Sequence, residues 1–206
     1  GFVLQNPDLD NCGVRMKGHN NSIINNTVIG TYNINPMAGI LAYNSTNCNI
    51  SGHSISGAFN GGVILAYSSN NTITRNKVTF SEWEFGIALT NSSYNNVTFN
   101  TVAQCTYASG GIHMVNSNWN FIASNNLTES RAGIILEFSG QNVLRNNNMT
   151  NNEVNFGFVS PEIQPLECIL NDIDTSNTVN GKPICYWINV NDTVIPENAG
   201  YVALVR

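Results

Sequence analysis

Residues 86–102 read GIALTNSSYNNVTFNTV, and two neighbours repeat the same frame: GVILAYSSNNTITRNKV at 62–78 and GIHMVNSNWNFIASNNL at 111–127. Each opens on Gly, with apolar residues one and three places on. Each then carries Asn fourteen places after the Gly and an apolar residue two beyond it. Nearly everything else drifts. Outward from these copies the frame runs through Gly13, Gly39, Gly62, Gly86, Gly111, Gly133 and Gly157, separated by 26, 23, 24, 25, 22 and 24 residues.

One place after each glycine stand Val14, Ile40, Val63, Ile87, Ile112, Ile134 and Phe158. Two further on stand Met16, Ala42, Leu65, Leu89, Met114 and Leu136, with Ser160 breaking the column. Alternation at period two is a strand with one buried face. Eleven places after the glycine come Ile50, Ile73, Val97, Ile122, Leu144 and Cys168; sixteen places after come Ile55, Val78, Val102, Leu127, Met149 and Ile173. The first copy is one residue short, so Ile24 and Val28 take these roles there. Between them lies a column of Asn26, Asn76, Asn100, Asn125, Asn147 and Asn171, with His53 its exception.

Columns of this kind mean coils stacked in register around one core. Asn suits an inward turn because it tolerates left-handed φ and its amide bonds stranded backbone groups. Amides about 4.8 Å apart in adjacent coils also bond one another into a ladder. Glycine at the head of each copy is expected to mark a further corner of positive φ. A leucine-rich repeat has a similar period but needs a helix-forming back half, and here the gaps are rich in Asn, Ser, Thr and Gly. The fold expected is therefore all-β: a right-handed parallel β-helix of about seven coils over residues 1–173, on the order of 30 Å long. Residues 174–206 are expected to form a hairpin-like segment leading into a final strand.

Repeats of the form GI-x-L-x-x-x-x-x-N-x-I-x-x-N-x-V resemble the parallel β-helix repeats of the pectin-lyase-like superfamily, with NosD-like repeats nearest in pattern. The tail DTSNTVNGKPICYWINVNDTVIPENAGYVALV, residues 174–205, resembles the linker after a repeat block in large surface proteins of methanogenic archaea. The resemblance implies a secreted or cell-surface protein, with the GYVALV strand opening another coil.

Composition narrows the function. Only 10% of the 206 residues are charged and the net charge is −5, so no basic face is available for nucleic acid. No apolar run approaches the roughly 18 residues of a membrane span. β-Helix enzymes acting on acidic polysaccharides place carboxylates with Lys or Arg along one strand face, and no such motif occurs here. Arg75 and Lys77 flank Asn76 as solvated corner charges. His19, His53 and His113 have no second ligand in their columns, so no metal or other cofactor is expected. The expectation is a non-catalytic protein.

Aromatic residues are the binding candidates. Phe59, Trp83 and Tyr107 precede successive glycines, and Glu82 and Glu84 flank Trp83, which suits sugar stacking with hydrogen bonds at its edge. The competing reading is a plain stack of rings between coils. Tyr94 and Trp119, each eight after its glycine, form a second such pair. Two places after each glycine, Leu41, Ile64, Ala88, Ile135 and Val159 make an apolar outer ribbon, with Arg15 and His113 the polar exceptions.

Ten N-x-S/T sequons start at Asn20, Asn25, Asn44, Asn49, Asn70, Asn91, Asn96, Asn126, Asn148 and Asn191, candidate N-glycosylation sites in a secreted chain. Of five cysteines, Cys168 and Cys185 are the candidate disulfide. Both chain ends read as strands without caps, so either the chain is a piece of a longer protein or copies associate head to tail through Gly1–Leu4 and Tyr201–Val205. Three functions remain: a structural unit of an archaeal envelope, sheath or filament; a glycan-binding or adhesion module; and, least favoured, a polysaccharide lyase or hydrolase.

Overall fold

The computed structural model describes residues 3–5, 12–30, 38–58, 60–80, 85–106, 110–159 and 165–206. Its strands lie on three faces of a prism. The first face holds Cys12–His19, Ala38–Thr46, Gly61–Ala66, Phe85–Thr90, Gly110–Val115, Ala132–Glu137 and Val154–Phe158, each paired in parallel with the next. The second holds Ser22–Ile24, Asn49–Ser51, Thr72–Thr74, Asn96–Thr98, Phe121–Ala123, Val143–Arg145 and Asp172–Ile173. The third runs from Val3–Gln5 through Thr27–Ile29, Ser54–Ser56, Lys77–Thr79, Thr101–Ala103, Asn126–Thr128 and Asn148–Thr150 to Thr178–Val179. This is the parallel β-helix that the repeat demands.

The core is built from the columns read in the sequence. Ile40, Val63, Ile87, Ile112 and Ile134 pair one with the next and are fully buried. Ile50, Ile73, Val97, Ile122 and Leu144 do the same on the second face, as do Ile55, Val78, Val102, Leu127 and Met149 on the third. In the first coil Ile23, not Ile24, joins its column opposite Ile50, and Ile24 is 48% exposed. A register shift between Met16 and Gly18 accounts for the slip.

The head glycines serve a different purpose from the one expected. None of Gly13, Gly39, Gly62, Gly86, Gly111 and Gly133 has positive φ. They sit where a strand passes too close to the core for a side chain: a Cβ on Gly39 would lie 2.5 Å from Ile55 Cγ2 and 2.7 Å from the Gly62 carbonyl oxygen. Left-handed φ falls instead on the residue just before each inward polar one. Arg75, Phe99, Ser124 and Asn146 take it, and Asn76, Asn100, Asn125 and Asn147 follow them inward.

The expected asparagine ladder is present. Asn76 N–H and Nδ2 both donate to Asn100 Oδ1 at 3.0 Å, Asn100 N–H donates to Asn125 Oδ1 at 2.9 Å, and Asn125 N–H donates to Asn147 Oδ1 at 3.1 Å. The ladder ends on Asn177, whose Oδ1 accepts from Asn147, and Asn171 lies elsewhere. Asn171 closes a second ladder of Asn71, Asn95, Asn120 and Asn142. A third corner is lined by Ser45, Ser68, Ser92, Ser117 and Ser139, each N–H donating to the next Oγ at 3.0 Å.

The last coil corrects the count. Phe156 pairs with Ile134 and Phe158 with Leu136, so Asn155 heads this copy and Gly157 lies opposite Ile135 on the outer face. The apolar column is then unbroken, and Ser160 leaves it. The segment after Val159 is longer than in other coils and includes one helical turn, Leu166–Ile169. Ile173 consequently pairs with Leu144 in place of Cys168, and Val179 pairs with Met149 in place of Ile173.

The tail opens no new coil on the first face. Lys182–Ile188 turns back antiparallel to Thr178–Val179, and Tyr201–Val205 pairs in parallel with it as the last strand of the third sheet. Ile184, Tyr186 and Val205 join the core, and Tyr201 meets Phe156 edge to face at 5.0 Å. These two strands cover the C-terminal end of the core, where an uncapped end was expected. Cys168 and Cys185 are both free thiols. Cys185 alternates with Ile184 and Tyr186, which face the core, so its thiol points to the opposite side; Tyr186, by contrast, bonds the Ile169 carbonyl beside Cys168.

Candidate functional site

Of the aromatic and acidic binding candidates, Phe59, Glu82, Trp83, Glu84 and Tyr107 lie outside the described residues. The second pair is described. Tyr94 and Trp119 occupy the exposed left-handed position between the first and second faces, with φ of 60° and 54°. Adjacent coils hold their rings parallel, with centroids 5.3 Å apart and an interplanar angle of 4°. They are 52% and 50% exposed. The next residue in their column is Gln141, since Trp119 N–H donates to the Gly140 carbonyl oxygen at 3.4 Å. Beside this column Phe121, 40% exposed, pairs with Val143.

Gln141 and Val143 begin a groove of about 560 Å³ that Leu170, Asn171, Asp172, Ile173, Tyr186 and Ile188 complete. The stacked rings therefore stand one coil from an open, mostly apolar trough between the last coil and the C-terminal strands, with Gln141 between them. Only Tyr94 and Trp119 are legible from spacing, together with Gln141, which also stands eight after its glycine. The far wall is supplied by Tyr186 and Ile188, whose approach depends on how the tail packs.

One cation borders the groove. Arg145 Nη1 donates to the carbonyl oxygens of Leu144 and Asp172, both at 2.8 Å. Its Nη2 bonds Asp172 Oδ2, and its Nε lies 3.2 Å from Asp174 Oδ2. Asn171 is consumed by its ladder, Oδ1 accepting from Asn142 N–H at 2.9 Å and Nδ2 donating to Ser139 O at 3.1 Å.

The outer ribbon of the first face runs Arg15, Leu41, Ile64, Ala88, His113, Ile135 and then Gly157, with Val159 outside it. His113 is buried, 4.9 Å from the Phe85 ring and with Nε2 3.5 Å from Glu137 Oε2. Neither ring nitrogen has a hydrogen-bond partner. Burial lowers its pKa to about 4, so it is neutral at pH 7. His53 is also buried but fully bonded within the ladder. His19 is exposed, and no group of three or more His, Cys, Asp or Glu residues that could hold a metal ion occurs among the described residues. Arg75 lies over the Phe99 ring at 5.5 Å and Lys77 is exposed. All the sequon asparagines are exposed except the half-buried Asn49.

No helix among the described residues is long and apolar enough to cross a membrane. The sequence matches the model of the family described as right-handed beta helix region over residues 12–155. Comparison with curated proteins finds no match. Among solved structures, the chain is similar to a mutant of the periplasmic alginate epimerase AlgG, with TM-score 0.56, 18% identity, and 99% of this chain aligned to 54% of that one. A double mutant of AlgG gives TM-score 0.50 and 16% identity, over 89% of this chain and 47% of that one. The chain thus spans about half the length of these neighbours, and at such identities the likeness is one of fold. With the family model matched from Cys12 to Asn155, which is most of the chain, this protein belongs to the right-handed β-helix family.

Proposed function

We propose that this chain is a non-catalytic structural module of an exported protein, displayed at a cell surface or in an extracellular assembly. The observation that carries the reading is the set of inter-coil ladders: buried amides and hydroxyls at three corners bond the next coil in series, which favours a stiff rod. Ionisable groups near those corners are spent on the scaffold as well, Arg145 on Asp172 and Asp174 and His53 within its ladder. The exposed sequons and the periplasmic location named for the AlgG neighbour support export. The tail's resemblance to surface proteins of methanogenic archaea supports an envelope or sheath setting.

End-to-end association is part of this proposal, with a specific geometry. Among the described residues, Val3–Gln5 and Tyr201–Val205 are the two outermost strands of the same ten-stranded sheet. Contact between copies would continue that sheet, and its joint would be antiparallel because Lys182–Ile188 reverses direction. Negative-stain micrographs at rising concentration, with turnover assays on uronate polymers, test both parts. Rods longer than one chain without turnover are expected. A monomer at every concentration removes the assembly, and turnover of any polymer removes the non-catalytic reading.

A further inference from the structure

We propose that the groove opening from Trp119 toward the C-terminal strands binds neutral sugar chains and rejects uronate polymers. The rings extend it by an aromatic surface one coil away, next to Gln141. Tyr94 covers one face of Trp119, yet Trp119 remains 50% exposed, and its other face looks along the column toward Gln141 and the groove. A pyranose ring carries apolar C–H groups on its faces and hydroxyls around its rim. It therefore matches an aromatic plane that is continued by apolar walls and bordered by polar groups. Val143, Leu170 and Ile188 supply the walls, and Gln141 and Asp172 the border. The volume, about 560 Å³, lies within the range of small-ligand sites and suits a short oligosaccharide.

Charge decides the class of sugar. A uronate site needs a cation free to receive a carboxylate, commonly as a two-pronged clamp. Arg145 cannot act this way: two carbonyls and two carboxylates hold its Nη1, Nη2 and Nε donors. Asp172 and Asp174 outweigh it by one negative charge, on a chain whose net charge is −5. A carboxylated sugar would enter against like charge. A hydroxyl would find acceptors in Asp172 and the Gln141 amide.

Calorimetric titration of the folded chain with gluco-, manno- and N-acetylglucosamine oligosaccharides, and in parallel with oligoalginate and oligogalacturonate, tests this. The expected result is saturable binding of at least one neutral series, with the uronates at least tenfold weaker. Trp119→Asn should weaken neutral binding at least tenfold. It keeps the fold, because Asn47 and Asn70 hold the same left-handed position in earlier coils. Asp172→Asn with Asp174→Asn should release Arg145 and bring uronate binding up at least tenfold. The proposal is overturned if no neutral series binds, if uronates bind the unaltered chain as tightly, or if Trp119→Asn leaves affinity unchanged.

Discussion

His53 Nδ1 accepts a hydrogen bond from the backbone N–H of Asn26 at 3.1 Å, in the place where later coils offer an asparagine Oδ1. Its Nε2 meets the Ile23 carbonyl oxygen at 2.9 Å, as Asn76 Nδ2 meets that of Ile50 at 3.0 Å. The neutral imidazole thus reproduces both bonds of the amide, and one nitrogen must stay unprotonated to do so.

Burial lowers the His53 pKa below 6.5, outweighing the bond to the Ile23 carbonyl. A group whose folded pKa is depressed lets the unfolded chain bind the proton first, so stability falls with pH below about 6.5. His53→Asn should therefore flatten the loss of Tm between pH 7 and pH 5. His53→Ala should cost about 2 kcal/mol at pH 7, because it strands the Asn26 N–H and the Ile23 carbonyl. Melting curves of the three proteins across that range check it.

His113 should show the same sign with a larger amplitude, since its folded pKa is about 4. Stability is predicted to fall as pH drops from about 6.5 to about 4, by up to about 3 kcal/mol. His113→Leu should abolish this loss and stabilise the chain by roughly 1–2 kcal/mol at pH 7, because it removes two buried nitrogens that make no hydrogen bond from between Ala88 and Ile135. Urea titrations at pH 7 and pH 4.5 give the comparison.

Asn100→Ala should be among the costliest single changes, about 3 kcal/mol or more. It strands the Asn76 N–H and the Ile73 carbonyl and takes from Asn76 Nδ2 one of its two acceptors, all in the dry interior. By contrast, Asn96→Ala, on the exposed outer side of its strand, should lie within about 0.5 kcal/mol of the parent. Chemical denaturation of both variants measures the gap.

Gly39→Ala should destabilise by about 1–3 kcal/mol although φ there is ordinary. The added methyl meets Ile55 Cγ2 and the Gly62 carbonyl. Pairing it with Ile55→Val tests the cause, since trimming the facing side chain should recover part of the loss in Tm. Gly181, with open space where its Cβ would lie but φ of 75°, should respond to alanine only through backbone strain.

Coils one to six were legible because their information is local and repeated. A side chain every second residue and a glycine about every 24 set which atoms face the core, and six copies agreeing allow only one stacking. That is why Asn100 and Asn125 could be placed a strand spacing apart before any coordinates. Ile24 in the first coil, and Gly157, Asn171 and Cys168 in the last, fall outside the places their spacing predicts. A longer segment after Val159 carries no period, and Gly157, a lone glycine two residues past the head position held by Asn155, looks like a head glycine until Phe156 is placed beside Ile134.

The rest followed from packing between distant parts of the chain. Tyr201 and Ile184 were readable as strand residues, but their covering the core end depended on the apolar surface that Phe156 leaves there. Apolar surface seeks any cover, so alternation alone cannot name the element that supplies it. The groove beside Trp119 likewise exists only because Tyr186 and Ile188 come to rest opposite Val143. A stacking rule fixes neighbours one coil away; it has no authority over a tail free to fold back. Parallel pairing of Ile87 with Ile112 follows from the order of letters, whereas the site where a sugar could lie is set by where that tail settles.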